Sequence, residues 1–180
     1  MNAPLRTALM IAALTAVAQG VAAQSLQRLS LQASGAALFA SKKDPNFESK
    51  TRLGFEGQAR YTFGRFSLGA GYQRSTVFAF SGNSLRMALS LGFIEPRYVV
   101  AAGGGVAAYL AGRVGVGKLV CSEKNQCNTG GTNVAYGGGG GLLFRLNQRL
   151  SADAGVQYFQ VDGTLASGYA MARLGLGVGL

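Results

Sequence analysis

The chain has 180 residues, room for one domain of ordinary size rather than two. It is 48% hydrophobic and only 13% charged, with 28 Gly and neither Trp nor His; that profile is odd for a soluble enzyme, and the missing imidazole excludes Ser-His-Asp and Cys-His nucleophile systems and His-bound metals. A formal charge of +10 would suit nucleic acid, but the basic residues are dispersed one per segment with no nucleic-acid-binding motif beside them, which argues that partner away.

Residues 1–23 carry Arg6, an apolar run from Thr7 to Ala18, and then Val21-Ala22-Ala23 ahead of Gln24. A positive start, a short apolar middle and a small-residue site are the order of a secretory signal peptide, cleaved to leave residues 24–180 as the mature domain. The competing reading, a membrane-anchoring helix, needs about 20 apolar residues, and the run is shorter. Beyond Ala23 every apolar stretch is broken by Arg, Gln, Ser or Gly, so no transmembrane helix follows. The remaining way to cross a membrane is a closed barrel, because lipid cannot satisfy exposed backbone N–H and C=O groups.

Period-two alternation then predicts eight strands. Segment 26–40 sets Leu29, Leu31, Ala33 and Phe39 against Arg28, Ser30, Gln32 and Ser34, and 51–63 sets Leu53, Phe55, Ala59, Tyr61 and Phe63 against Arg52, Glu56, Gln58, Arg60 and Thr62. In 66–73, Phe66, Leu68, Ala70 and Tyr72 oppose Ser67, Gly69, Gly71 and Gln73; in 85–94, Leu85, Met87, Leu89, Leu91 and Phe93 oppose Arg86, Ala88, Ser90, Gly92 and Ile94. Segment 98–117 puts Tyr98, Val100, Val106, Leu110 and Val114 against Ala and Gly ending in Arg113. The last three are 134–146, 150–158 and 168–180, whose oily rows hold Tyr136 and Leu142, Val156 and Tyr158, and Leu174 to Leu180. Short turns are expected at Gly64-Arg65, Glu95-Pro96-Arg97 and Asn147-Gln148, and longer loops at 41–50, 81–84, 118–133 and 162–167. Such alternation of turn length places both termini in the periplasm.

A soluble barrel would bury the oily rows, but here the opposite rows hold Glu56, Arg60, Arg86, Asp153 and Arg173. The oily rows therefore face lipid, and the expected fold is an all-β, eight-stranded antiparallel up-and-down transmembrane barrel. Those five charged residues are expected to form a lumen network, with Glu56 and Asp153 each meeting Arg60, Arg86 or Arg173. The inward positions of strands 3 to 6 read as mostly Gly, Ala and Ser, which predicts a thin wall filled by the bulky side chains of strands 1, 2, 7 and 8. A plugged lumen is expected; any gap in it would favour anions.

Glu56 and Asp153 are also the one pair that general acid and base chemistry could use, but charge pairing with the surplus Arg is the expected role. The runs Gly103-Gly104-Gly105 and Gly137 to Gly141 lack the helix and Lys-Ser/Thr of a phosphate loop. Catalytic residues, metals and cofactors are thus not expected. Cys121 and Cys127 lie together in the longest loop, and in an oxidising compartment they are expected to pair as a disulfide. Lys42, Lys43, Lys50, Lys118 and Lys124 sit where lipopolysaccharide phosphates would lie and are candidate contacts to them.

With these segments, residues 25–180 resemble the small outer-membrane barrels of the OmpX and OmpA transmembrane-domain type. The signal peptide and the resemblance together imply outer-membrane location by the general secretory route, contact with lipid and lipopolysaccharide, and handling by the barrel assembly machinery; a monomer is expected, and the sequence does not encode whether barrels associate. Members of that group usually end on an aromatic residue, whereas this chain ends on Leu180. Lipid A palmitoyltransferases, deacylases and omptin proteases resemble this fold but rely on a His that is absent here. The expected function is accordingly non-enzymatic, structural or surface-interactive. The alternatives are a narrow pore for anions or small apolar solutes and, below that, a lipid-modifying enzyme.

Overall fold

The computed structural model describes residues 29–42, 52–79, 86–121, 131–162 and 166–180. They form β1 (Leu29–Lys42), β2 (Arg52–Phe63), β3 (Phe66–Ala79), β4 (Arg86–Gly103), β5 (Val106–Cys121), β6 (Asn133–Arg145), β7 (Leu150–Val161) and β8 (Ala166–Gly179). Each strand pairs antiparallel with its sequence neighbours, and β1 pairs with β8 from Ser30↔Gly179 to Lys42↔Ala166, so the sheet closes on itself. Closure leaves none of the eight described strands at a sheet edge, which is what a hydrocarbon environment demands.

Local chemistry sets the short turns. Gly64 has φ 63°, and Gly104 and Gly105 have φ 59° and 84°. Two successive residues at positive φ match the twist of a two-residue hairpin, and glycine adopts them without strain. Between β6 and β7, Asn147 Oδ1 accepts the backbone N–H groups of Arg149 and Leu150 at 2.8 and 2.7 Å. These three turns share one end of the barrel with Leu29 and Leu180, while the 43–51, 80–85, 122–130 and 162–165 connections leave from the other.

The outer surface carries an apolar band across the strands. Leu53 and Leu174 are 76% and 71% exposed, and Phe55, Leu110, Val114, Val156 and Leu176 stand out beside them. On β5 the outward row from Val106 to Val116 is unbroken by charge; at ordinary strand rise and tilt it is about 25 Å tall, the height of a bilayer's apolar band. Near the short turns Tyr61, Phe63 and Phe66 cluster, with ring centroids 6.2 and 4.9 Å apart, and Phe66 pairs with Tyr98. Aromatic girdles of this kind mark a membrane interface.

Three expectations need correction. The chain does not turn at Glu95-Pro96-Arg97: β4 runs through it, and the turn lies at Gly104-Gly105. Pro96 has no N–H to give, and the ladder to β5 skips Glu95 and Pro96 between Ile94↔Val114 and Arg97↔Ala111. The phase of 85–94 is also reversed: Leu89, Leu91 and Phe93 are buried in the lumen, whereas Ile94 is exposed. Finally, strands 3 to 6 are no thin wall. They bring Gln73, Leu89, Leu91, Phe93, Glu95, Arg97, Tyr109 and Arg113 into the interior, and β6 alone lines it mainly with glycine.

Candidate functional site

The lumen divides along its axis. Toward the long loops it is filled by Leu38, Leu89, Leu91, Phe93, Phe159, Tyr169 and Met171, all almost fully buried, with Phe159 and Tyr169 stacked at 5.5 Å. Phe159, Tyr169 and Met171 stand on the inward rows that alternation gives the last two strands, whereas alternation reads Leu89, Leu91 and Phe93 as facing lipid. Below it lies an ionic layer, and below that a vestibule between the short turns.

Glu95 is the hub of the ionic layer. Its carboxylate accepts Arg60 Nη2 and Arg97 Nε, each at 2.8 Å, Arg173 Nη1 at 2.9 Å, Arg113 Nη2, and the Gln157 amide at 2.8 Å. Glu56 takes Arg113 Nη2 at 2.8 Å and Arg173 Nη1 at 3.0 Å. Asp153 takes Arg97 Nη1 at 2.8 Å, Arg173 Nε at 3.1 Å and the Tyr109 hydroxyl at 2.9 Å. Arg173 thus touches all three acids. Arg113 adds a bond to Gln73 Oε1 at 2.8 Å and lies 3.9 Å over the Phe93 ring, while Arg97 lies 4.4 Å over Tyr109. Buried ions are tolerable only when paired and hydrogen-bonded, and the planar guanidinium fork supplies several bonds per charge. The network ties β2, β3, β4, β5, β7 and β8 across the barrel.

Glycine makes room for it. A Cβ at Gly141 would lie 2.5 Å from the Tyr109 hydroxyl, and one at Gly155 would lie 2.7 Å from the same oxygen and 3.4 Å from Arg173 Nε. Gly141 on β6 and Gly155 on β7 therefore leave the space into which Tyr109 of β5 and Arg173 of β8 project, and the glycine run is no phosphate-binding loop.

Of the charged residues predicted from sequence, Glu56, Asp153 and Arg173 come together, and Arg60 joins them through Glu95 rather than through either expected acid. Arg86 opens β4 opposite Ala79, but its side chain lies outside those described. Glu95, Arg97 and Arg113 complete the cluster. Arg113 stood on an inward row; Glu95 and Arg97 were lost to the turn assigned around Pro96, although they continue the alternation of Leu91 and Phe93.

Lys118 is exposed near the long-loop end of β5. Lys42 ends β1 with its side chain undescribed, and Lys43, Lys50 and Lys124 lie outside the described residues, as does Cys127, the partner proposed for Cys121. Sequence reasoning missed exposed Arg74 on β3, which pairs with Ser90, which in turn pairs with Lys118. Two outward cations thus flank one serine across three strands, about 10 Å apart along the ladder.

Solved structures match this architecture closely. Neisserial surface protein A superposes with a TM-score of 0.71 at 17% identity, over 84% of this chain and 97% of that one. The fold is that of the small outer-membrane barrels. Ail, the attachment invasion locus protein of Yersinia pestis, gives 0.60 at 16% identity, over 85% and 98%. The N-terminal barrel domain of Pseudomonas aeruginosa OprF gives 0.51 at 14% identity, over 84% and 97%. No protein-family model and no curated protein matches the sequence.

Proposed function

We propose that the chain is an exported, integral outer-membrane barrel, non-enzymatic and closed to solute flow, with its termini in the periplasm and its long-loop end serving surface contact. The observation that carries this reading is the inside-out polarity joined to a doubly filled lumen: an apolar exterior encloses an apolar plug above an ionic layer. An eight-stranded barrel has just enough interior for side chains, and here large ones occupy it. A pore for anions or small apolar solutes would have to pass both obstacles. The clustered acids are consumed by arginine, which leaves none of Glu56, Glu95 and Asp153 available as a general base and speaks against lipid-modifying chemistry in the lumen.

The test combines location with conductance. In an outer-membrane fraction the protein is expected to migrate differently on gels before and after heating, and the purified barrel in planar bilayers to show no unit conductance. Steady ohmic steps would replace this reading with the pore.

The basic outer rim supports contact with lipid phosphate, since Arg74 and Lys118 stand just beyond the apolar band. Lys42, Lys43, Lys50 and Lys124 would extend it into the loops. On the same fold, Ail of Yersinia pestis was solved in complex with the heparin analogue sucrose octasulfate. Replacing Arg74 and Lys118 together by Gln is expected to leave folding intact and to weaken lipopolysaccharide binding about tenfold at low salt, a difference that shrinks as salt is raised. Equal binding by the variant at every salt concentration would remove these two residues from the contact.

A further inference from the structure

The vestibule at the short-turn end has a volume of about 140 Å³. Among the described residues four arginines line it, Arg60, Arg97, Arg145 and Arg149, with the polar groups of Ser30 and Tyr109, and no acidic residue does. Arg60 and Arg97 form its floor and are only 6% and 4% exposed. Both are incompletely bonded: Arg60 Nε and Arg97 Nη2 have no hydrogen-bond partner. The floor also belongs to a layer in which, among the described residues, four buried guanidiniums, Arg60, Arg97, Arg113 and Arg173, face three carboxylates, Glu56, Glu95 and Asp153. Uncompensated charge in such a low-dielectric interior is costly, and exposed Arg149 adds a further cation at the vestibule rim.

We propose that this vestibule binds a small oxyanion, a phosphate or a carboxylate group, presented from the short-turn side. The charge balance demands an anion, and arginine forks fit planar or tetrahedral oxyanions with two parallel bonds. The volume suits the size, since a cavity of about 150 Å³ holds a benzene ring. The plug above the ionic layer makes the vestibule a blind site, so the anion is held and not conducted.

The test uses the refolded full-length barrel in detergent micelles, titrated at constant ionic strength with inorganic phosphate in one arm and acetate in the other. The Nε–H resonances of Arg60 and Arg97 are expected to shift saturably, and the unfolding temperature to rise with occupancy. Tighter binding of phosphate identifies a phosphoryl ligand; tighter binding of acetate identifies a carboxylate end. Arg149 sits in an exposed turn, so Arg149→Gln keeps the fold and is expected to weaken the midpoint about tenfold, with Arg149→Lys intermediate. A linear, non-saturating drift with both anions, or the same midpoint in Arg149→Gln and the parent, overturns the proposal. A conducting barrel would undo the closed-lumen reading on which the blind site rests, and conductance is measured separately from this titration.

Discussion

Glu95→Gln is expected to destabilise the barrel by about 3–5 kcal/mol, enough to lower its unfolding temperature sharply or to prevent refolding. The change preserves shape and removes one charge, yet it leaves Arg60, Arg97, Arg113 and Arg173 without the acid they share. Glu56→Gln and Asp153→Asn are expected to cost less, since each of those acids holds two arginines and both arginines keep Glu95. Thermal or urea unfolding in the same detergent, followed by the heat-sensitive gel shift, ranks the three. Equal losses would refute the hub, and unchanged stability in all three would refute the network.

Gly139→Ala is expected to abolish the folded form. A Cβ there would meet the Val156 carbonyl oxygen at 2.0 Å and Gln157 Cα at 2.6 Å, and both are backbone that cannot swing aside. The added methyl must push β6 from β7, which breaks the ladder that closure depends on. Gly57→Ala is the control: nothing lies within 4 Å of its Cβ, and its effect should stay within about 0.5 kcal/mol. Refolding yield on gels reads both variants. Normal yield for Gly139→Ala would mean that β6 and β7 have slack the close contacts deny.

Strand number, closure and the outward rows of seven strands were legible because one side of each strand had to be oily enough for lipid. Where the lumen itself turns apolar, that rule loses its contrast. At Leu89, Leu91 and Phe93 the inward row is greasier than the outward row of Ala88, Ser90 and Gly92, so alternation reads clearly and points the wrong way. Pro96 concealed the hub for a related reason: proline flanked by charges has the composition of a turn, and its place in β4 follows from a gap in the β4–β5 ladder that only pairing reveals. Glu56, Asp153 and Arg173 were readable because each sits on a strand whose other face is plainly apolar. Their partners depended on how far strands slide past one another, which alternation does not encode.

Arg173 belongs to the final strand, whose docking against β1 completes the cylinder. Until that seam zips, Arg173 can hold Asp153 on the neighbouring strand, but Glu56 and Glu95 each lack a bond they hold in the finished molecule. A half-assembled sheet would therefore carry starved acids along its inner face. The cation that reaches them across the closed seam acts as a latch on the cylinder.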